Sequence, residues 1–140
     1  MAFILIVDAN QAHAGRASDV LNAAGHACGC VASAEQAIAL LRWRVPDLIL
    51  LDQAIPGADG GTLPQKLRGI AAVAELPIIL LSTNSASVGE MASAVLDDIR
   101  KPFDPGFLAW RVNHALDAYT RAAEPELTPV EATPSLRSLA

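Results

Sequence analysis

The feature of this chain that most limits its fold is a series of short apolar runs separated by longer segments with helical spacing. Three of these runs are clear strand candidates: Ala2–Val7, Leu48–Leu51 and Pro77–Leu81. Their hydrophobicity is continuous, which is typical of strands buried on both faces of a sheet. Weaker candidates are Asp98–Arg100 and His26–Val31, where Gly29 and small residues indicate an edge strand. The pattern predicts an α/β fold, with helices covering both faces of a five-stranded parallel sheet.

The intervening segments carry apolar stripes that predict helices. The stripes are Ala17, Val20, Leu21 and Ala24 in the first helix, Ala37, Ile38 and Leu41 in the second, Leu63, Leu67 and Ile70 in the third, and Leu108, Val112, Ala115, Leu116 and Tyr119 in the last. Gly25 suits the end of the first helix, and Pro46 ends the second. Thr62 is the expected N-cap of the third helix, and Asp104 opens the last one.

Length and composition favour one soluble domain. The chain has 140 residues, of which 52% are hydrophobic, and this suits a single core. We expect a domain over residues 1–121 and a flexible, proline-containing tail over residues 122–140. No apolar run reaches the roughly 18 residues that cross a bilayer, and the start lacks a signal peptide. A cytoplasmic protein without membrane contact is predicted.

Charge and cysteine content exclude two kinds of site. The net charge of −5 argues against a nucleic-acid surface, because that surface needs clustered Lys and Arg. Cys28 and Cys30 lie too close along the chain for ordinary disulfide geometry. Without further ligands they are a weak metal signal, and they fit a reducing compartment. We interpret them as small strand residues.

Polar residues gather where the predicted strands end. Asp8, Asp52, Ser82 and Lys101 follow the first, third, fourth and fifth strands. Ligands bind beyond the carboxyl ends of strands in such sheets, so we expect these residues to converge. Asp52 has the chemistry of a nucleophile toward phosphorus, and Asp8 that of a second carboxylate for Mg²⁺. Lys101 would offset charge on phosphoryl oxygens, and Ser82, or alternatively Thr83, would donate a hydrogen bond to one of them.

Several residues in this region also have a purely structural interpretation. A carboxylate at a strand end is often a turn or capping residue, and Ser82 could cap the helix after it. His13 is interpreted as a surface histidine, not as a phosphohistidine or a ligand. The stretch Gly57–Gly61 lacks the Lys-Ser/Thr pair of a phosphate-binding loop and is interpreted as a turn.

Five blocks of sequence carry a family resemblance. They are Ile4–Asp8, Pro46–Asp52, Ile55–Gly60, Pro77–Ser82 and Lys101–Phe103. In this order the chain resembles response-regulator receivers over roughly Met1 to Arg121. The resemblance implies a doubly wound, flavodoxin-like sheet of strand order 2-1-3-4-5. It also implies Mg²⁺-dependent transfer of a phosphoryl group to Asp52 from a phosphohistidine of a sensor kinase or phosphotransfer protein.

Departures from the family pattern affect the metal and the switch. Ala9 stands where such receivers usually carry a second acid, so we expect weak Mg²⁺ binding through Asp8, Asp52 and the backbone carbonyl of Ala54. Asp98 replaces the usual aromatic switch residue. The segment between the fourth and fifth strands is short, and its helix, the fourth in the family, is expected to be shortened or irregular.

Trp110 is the predicted partner surface. It lies off the apolar stripe of the last helix, with Asn113 and His114 as helical neighbours, and Trp is enriched at binding hot spots. The alternative is a Trp that lies flat over helix side chains. Trp43 is expected to cover a core edge.

These features predict a stand-alone receiver that signals through a downstream protein target and is not a turnover enzyme. The alternative is a pseudo-receiver, an interaction module with the same fold whose output needs no phosphate. A third hypothesis is a small phosphatase that uses Asp52 as nucleophile, but the sequence offers no second acid or base to hydrolyse the intermediate.

Overall fold

A computed structural model of the chain describes residues 2–56, 62–70, 73–82 and 95–123, with side chains described as far as Tyr119. Within these ranges the elements are β1 (Phe3–Val7), α1 (Gln11–Ala23), β2 (Ala27–Val31), α2 (Ala34–Leu41), β3 (Leu48–Asp52), α3 (Leu63–Arg68), β4 (Ile78–Ser82), β5 (Asp97–Arg100) and α4 (Pro105–Ala123). The five predicted strands and the four predicted helices whose stripes were assigned are all present.

The sheet has the strand order β2-β1-β3-β4-β5, and every neighbouring pair is parallel. The predicted doubly wound, flavodoxin-like fold is therefore confirmed, with β2 at an edge as expected. Val7 pairs with Leu51, and Leu51 pairs with Leu80. In the next pair of strands, Ser82 at the end of β4 pairs with Arg100 at the end of β5. This register brings the ends of four strands to one edge of the sheet.

Alternate residues of the central strands point to opposite faces of the sheet and build two cores. Leu5 and Val7 of β1 belong to the core formed with α2 and α3, whereas Ile4 and Ile6 belong to the core formed with α1 and α4. Burial of one such side chain contributes about 1.5–3 kcal/mol. Both faces of β1 are therefore covered, which explains why its hydrophobicity is continuous along the chain.

Side chains next to the helices define where these begin and end. Asn10, Ser33 and Thr62 each accept a hydrogen bond from the backbone N–H three residues later, at the start of α1, α2 and α3. A carboxylate oxygen of Asp104 accepts from a backbone N–H in the first turn of α4 at 2.8 Å. Gly25, just after α1, has a φ of +96°. The predicted roles of Thr62, Asp104 and Gly25 are confirmed.

Some details of the elements differ from the sequence prediction. β3 and β4 extend one residue further and include Asp52 and Ser82. Ile70 lies beyond the end of α3, although it still packs against the core. The prediction that Trp43 covers a core edge is wrong, because its side chain is 88% exposed. The reason is that α2 ends at Leu41, so Trp43 lies in the following turn and not on the buried stripe.

Some predictions lie outside the described residues. These are most of the tail over 122–140, the shortened family helix between β4 and β5, the alternative hydroxyl of Thr83 and the turn Gly57–Gly61. α4 itself continues to Ala123. Among the helices that the structure describes, none is long and apolar enough to span a bilayer.

Candidate functional site

The four predicted site residues lie at the carboxyl edge of the sheet. Asp8 directly follows β1, Asp52 and Ser82 end β3 and β4, and Lys101 directly follows β5. The backbone N–H of Lys101 donates to the carbonyl oxygen of Ser82 at 2.8 Å, so the hydrogen bonding between β4 and β5 continues into the site. Rigid strand ends therefore position all four residues.

A buried lysine joins the two carboxylates. Nζ of Lys101 lies 2.8 Å from Oδ2 of Asp8 and 3.3 Å from Oδ1 of Asp52. The side chains of Lys101 and Asp8 are 6% and 0% exposed, whereas that of Asp52 is 12% exposed. Buried charges need partners of opposite sign, and the lysine provides one for both acids. Asp52 is the more accessible of the two carboxylates.

Asp8 is held by its immediate neighbours. Its Oδ1 accepts a hydrogen bond from the backbone N–H of Asn10 at 2.9 Å, and its own N–H donates to the carbonyl of Val31 at 3.0 Å. The side-chain oxygen of Asn10 accepts from the N–H of His13 at 3.1 Å as the cap of α1. Asn10 therefore serves the helix cap, and Asp8 keeps Oδ2 directed at the lysine.

His13 is a site residue that sequence reasoning missed. It is half-buried, and its Nδ1 lies 3.0 Å from Nζ of Lys101. An ammonium group has three protons to donate and cannot accept, so Nδ1 is the acceptor in this contact. The interpretation as a surface histidine is therefore wrong. The sequence signal that could have identified it is its position in the first turn of the helix after Asp8. A side chain in that turn lies close to the strand ends.

Ser82 has a different environment from the charged residues. Its side chain is fully buried, and within the described part of the chain its Oγ is the buried side-chain polar atom that has no hydrogen-bond partner. An unsatisfied buried hydroxyl costs about 1–3 kcal/mol. Such groups call for an explanation, and a ligand that completes the hydrogen bond is one.

A small cavity opens beside the lysine, between the start of α1 and the loop before α4. It has a volume of about 170 Å³ and is lined by His13, Arg16, Lys101, Pro102 and Phe103. Its lining combines basic groups with an apolar ring and a proline. His13 therefore contacts the lysine on one side and open space on the other.

Cys28 and Cys30 lie on the edge strand β2 as free thiols. Burial raises the pKa of each thiol above its ordinary value, against a hydrogen bond with Ser18 that lowers it. The negative charge of Asp8 raises the pKa of Cys30 further. Both residues are therefore neutral thiols near pH 7, which makes them poor nucleophiles.

The outer side of α4 carries a stack of three rings. The ring of Trp110 lies 6.3 Å from that of Phe107 and 5.1 Å from that of His114. Trp110 is 56% exposed, as expected from its place off the apolar stripe. The guanidinium of Arg111 lies 5.6 Å from the Trp110 ring and also pairs with Asp97 of β5. The Trp110 ring therefore contacts Phe107 and His114 on its own helix, and Arg111 connects it to β5.

Comparison with known proteins agrees with the fold. Residues 4–113 match the family model of the response regulator receiver domain. The chain belongs to this family. Receiver domains act in two-component signalling, where they interact with histidine kinases or phosphotransfer proteins, and they are generally signalling proteins without turnover.

The chain is similar to two longer regulatory proteins. The phosphate regulon transcriptional regulatory protein PhoB of Pseudomonas aeruginosa is 33% identical over 116 residues, which cover 81% of this chain and 51% of the relative. The DNA-binding response regulator MtrA of Mycobacterium leprae is also 33% identical, with 81% and 50% covered. The chain therefore spans about half the length of the curated relatives it matches.

A solved structure matches nearly the whole receiver. The signal receiver domain of a signal transduction histidine kinase from Syntrophus aciditrophicus is 27% identical, with a TM-score of 0.77 over 93% of this chain and 99% of that one. The receiver fold is thus similar to that of the receiver domain of a signal transduction histidine kinase.

Receiver domains generally bind Mg²⁺ at their acidic pocket. In this receiver Ala9 follows Asp8, and across the described ranges no group of three or more His, Cys, Asp or Glu side chains is arranged to hold a metal. Mg²⁺ is nevertheless often bound through one or two carboxylates and several waters. Asp8 and Asp52 already converge on one cation, the lysine ammonium. Their donor chemistry therefore fits Mg²⁺, with the Ala54 carbonyl as the expected third oxygen.

The position of the aromatic switch residue is also changed. Asp98 is an exposed residue of β5, next to the buried Ile99. Its backbone N–H donates to Oδ1 of Asp97 at 2.8 Å. A carboxylate at this place in the strand has no ring to turn inward, so the receiver lacks that part of the family's switch.

Proposed function

We propose that this receiver accepts a phosphoryl group on Asp52 from the phosphohistidine of a sensor kinase or phosphotransfer protein. The observation that carries the proposal is the pairing of Asp52 with Lys101. The carboxylate reaches the surface at a strand end, and a buried cation lies 3.3 Å from its Oδ1. This arrangement leaves the nucleophile accessible to a donor and places positive charge where phosphoryl oxygens would come.

In the proposed step an oxygen of Asp52 attacks the phosphorus atom and forms an acyl phosphate. The P–N bond of the donor breaks, and its electron pair returns to the donor imidazole. Lys101 offsets the negative charge on the phosphoryl oxygens, and the Ser82 hydroxyl donates to one of them. Mg²⁺, when held by Asp8, Asp52 and the Ala54 carbonyl, supplies further charge neutralisation.

We infer that the output of the receiver runs through protein contacts on α4, with Trp110 at their centre. Exposed aromatic and Arg side chains are enriched in protein interfaces, and the stack around Trp110 contains both kinds. A net charge of −5 favours a protein target over nucleic acid. The free thiols of Cys28 and Cys30 fit a cytoplasmic protein. DNA binding is a property of the longer relatives.

A second candidate function is that of a pseudo-receiver, whose partner binding needs no phosphate. The observation that favours it is the presence of Ala9 beside Asp8, which leaves one carboxylate fewer to attract Mg²⁺. In that case the salt bridges of Lys101 with Asp8 and Asp52 serve only to hold the strand ends together.

Phosphorylation of the isolated protein tests the first candidate. Incubation with acetyl phosphate and Mg²⁺ should add one acid-stable, base-labile phosphoryl group, detectable by intact mass. Asp52→Asn should abolish the addition, because the amide is not a nucleophile. Asp19→Asn, at an exposed position of α1, is the matched control and should be labelled like the wild type. Equal labelling of the Asp52→Asn variant would place the acceptor elsewhere.

Hydrogen exchange separates the two candidates. A working receiver should change its exchange over residues 82–100 when beryllofluoride and Mg²⁺ are added, because Ser82 and Lys101 gain an anionic partner. A pseudo-receiver should show the same exchange with and without the analogue. Binding of the protein target should survive Asp52→Asn only in the second case.

Tryptophan fluorescence tests the α4 surface, since the chain has two tryptophans. If phosphate at Asp52 affects α4, beryllofluoride should change the emission of a Trp43→Phe variant, in which Trp110 is the remaining indole. The matched Trp110→Phe variant should show no change. A response carried by Trp43 instead would move the output surface to the turn after α2.

A further inference from the structure

The three hydrogen-bond donors of Lys101 each have an acceptor. Nζ contacts Oδ2 of Asp8 at 2.8 Å, Nδ1 of His13 at 3.0 Å and Oδ1 of Asp52 at 3.3 Å. An ammonium group has three protons, so these contacts use its full donor capacity. The orientation of the lysine is therefore determined by two carboxylates and one imidazole.

We propose that His13 is a positioning residue that holds the ammonium group of Lys101 in place for the phosphoryl group at Asp52. This inference rests on the proposed function. The lysine approaches the site from the end of β5, and the two carboxylates hold its ammonium group at the ends of β1 and β3. His13 adds a third contact from the first turn of α1, which Asn10 caps.

The imidazole must be neutral to play this part. Nδ1 accepts a hydrogen bond only when it carries no proton, so the proton of the neutral ring lies on Nε2. A protonated His13 would present a second positive charge to Lys101. Among the described residues, the charged groups around His13 are Arg16 in the same cavity, Lys101 itself, and Asp8 and Asp52 beyond the ammonium.

Two substitutions separate the hydrogen bond from the shape of the ring. In His13→Asn, the amide oxygen stands close to where Nδ1 stood and accepts at every pH. In His13→Ala the acceptor is lost. Asp19→Asn, an exposed charge change on the same helix, controls for effects of altering α1.

The first measurement needs neither phosphate nor metal. The chain contains two lysines, so ¹⁵N-lysine labelling gives one Nζ signal for Lys101 and one for Lys66. The Lys101 signal should have the same position in Asp19→Asn as in the wild type. It should stay close to that position in His13→Asn, which keeps an acceptor, and be displaced in His13→Ala, which has none. A Lys101 signal that does not move in His13→Ala would overturn the proposal, whatever the outcome of phosphorylation.

The second measurement is the rate of labelling by acetyl phosphate with Mg²⁺ at pH 8. His13→Ala should be slower by about 3- to 10-fold, the range expected for one lost hydrogen bond. His13→Asn, which keeps an acceptor, should restore the wild-type rate. Equal rates in all three proteins would reject a positioning role. Absence of labelling in the wild type would reject the proposed function and leave the lysine measurement to decide the role of His13.

Discussion

The two halves of the strand-end edge satisfy their polar groups in different ways. In the carboxylate half, at the ends of β1 and β3, the buried charges of Asp8, Asp52 and Lys101 are paired with one another. In the hydroxyl half, at the end of β4, the equally buried hydroxyl of Ser82 has no partner among the described residues. Burial of a charge without a counterion strongly destabilises the folded state, whereas an unsatisfied buried hydroxyl destabilises it by a few kcal/mol at most. The resting site is therefore closed around the lysine and still has hydrogen-bonding capacity at the serine.

The largest effect on the free energy of unfolding is expected from Lys101→Met, which removes the cation that pairs the two carboxylates. The substitution leaves Asp8, which is 1% exposed, without its cation. Removal of one partner of a buried ion pair typically costs about 3–5 kcal/mol. Urea unfolding at pH 7 measures the change in the free energy of unfolding.

The other lysine provides the control for that experiment. Lys66 lies in the last turn of α3 and is half-buried. Lys66→Met should cost less than about 1 kcal/mol, as is usual for a partly exposed lysine. Equal losses in the two variants would mean that the ion pairs at the site contribute no more than any surface charge, and the contrast between the two halves would disappear.

The next effect concerns the charge of the carboxylate half. Ala9→Asp adds an acid beside Asp8 and should tighten Mg²⁺ binding on the order of 10-fold, because affinity for such cations depends on the number of charged ligands. Without metal the variant should unfold more easily, since nearby like charges repel. Isothermal titration with MgCl₂ measures the first effect, and Ala9→Asn adds a side chain of similar size without the charge. If the Asn and Asp variants bind Mg²⁺ equally, position 9 does not contribute charge to the metal site.

Much of this site was predictable because strand ends are local features of the sequence. Asp8, Asp52 and Ser82 each follow an apolar run, Lys101 follows the short strand candidate Asp98–Arg100, and the parallel register brings such residues together in any sheet of this type. The role of each residue is still a prediction, but the placement follows from where the hydrophobic runs stop.

The contacts of two other residues were not predictable in this way. His13 meets Lys101 across 88 residues of sequence, and the contact depends on the angle at which α1 leaves its cap at Asn10. Trp43 was expected to cover a core edge, but whether a helix-end side chain packs on the core depends on the direction of that turn. Neither property is contained in local periodicity.

Ser82→Ala examines the hydroxyl half and should have a smaller effect of opposite sign on stability. Removing an unsatisfied buried hydroxyl should leave the free energy of unfolding unchanged or raise it by up to about 1 kcal/mol. The same variant should lose affinity for beryllofluoride, because the phosphoryl analogue loses a donor. Clear destabilisation of Ser82→Ala would show that the hydroxyl already has a partner in the resting protein, and the two halves of the edge would no longer differ.

The smallest expected effect uses a thiol as a sensor of the carboxylate half. Asp8 contributes to the raised pKa of Cys30 but is not among the causes of the raised pKa of Cys28. Because the thiolate is the reactive form, a raised pKa slows alkylation at pH 8. When Mg²⁺ binds at Asp8, the carboxylate charge is offset and the pKa of Cys30 should fall. Its reaction with iodoacetamide should then quicken by about two-fold, since a factor of two in thiolate corresponds to about 0.3 of a pKa unit.

The chain contains two cysteines, so each can be followed alone. Cys28→Ser leaves Cys30 as the sensor, and Cys30→Ser leaves Cys28 as the matched control. Rates measured by mass spectrometry between pH 7 and 10 should show an Mg²⁺-dependent shift of the profile in the first variant and none in the second. The profile of the Cys30 sensor should stay fixed in an Asp8→Asn background, where there is no charge to offset. A shift that persists in this background would assign the effect to Mg²⁺ bound away from Asp8, and the carboxylate half would then not be where this receiver meets its metal.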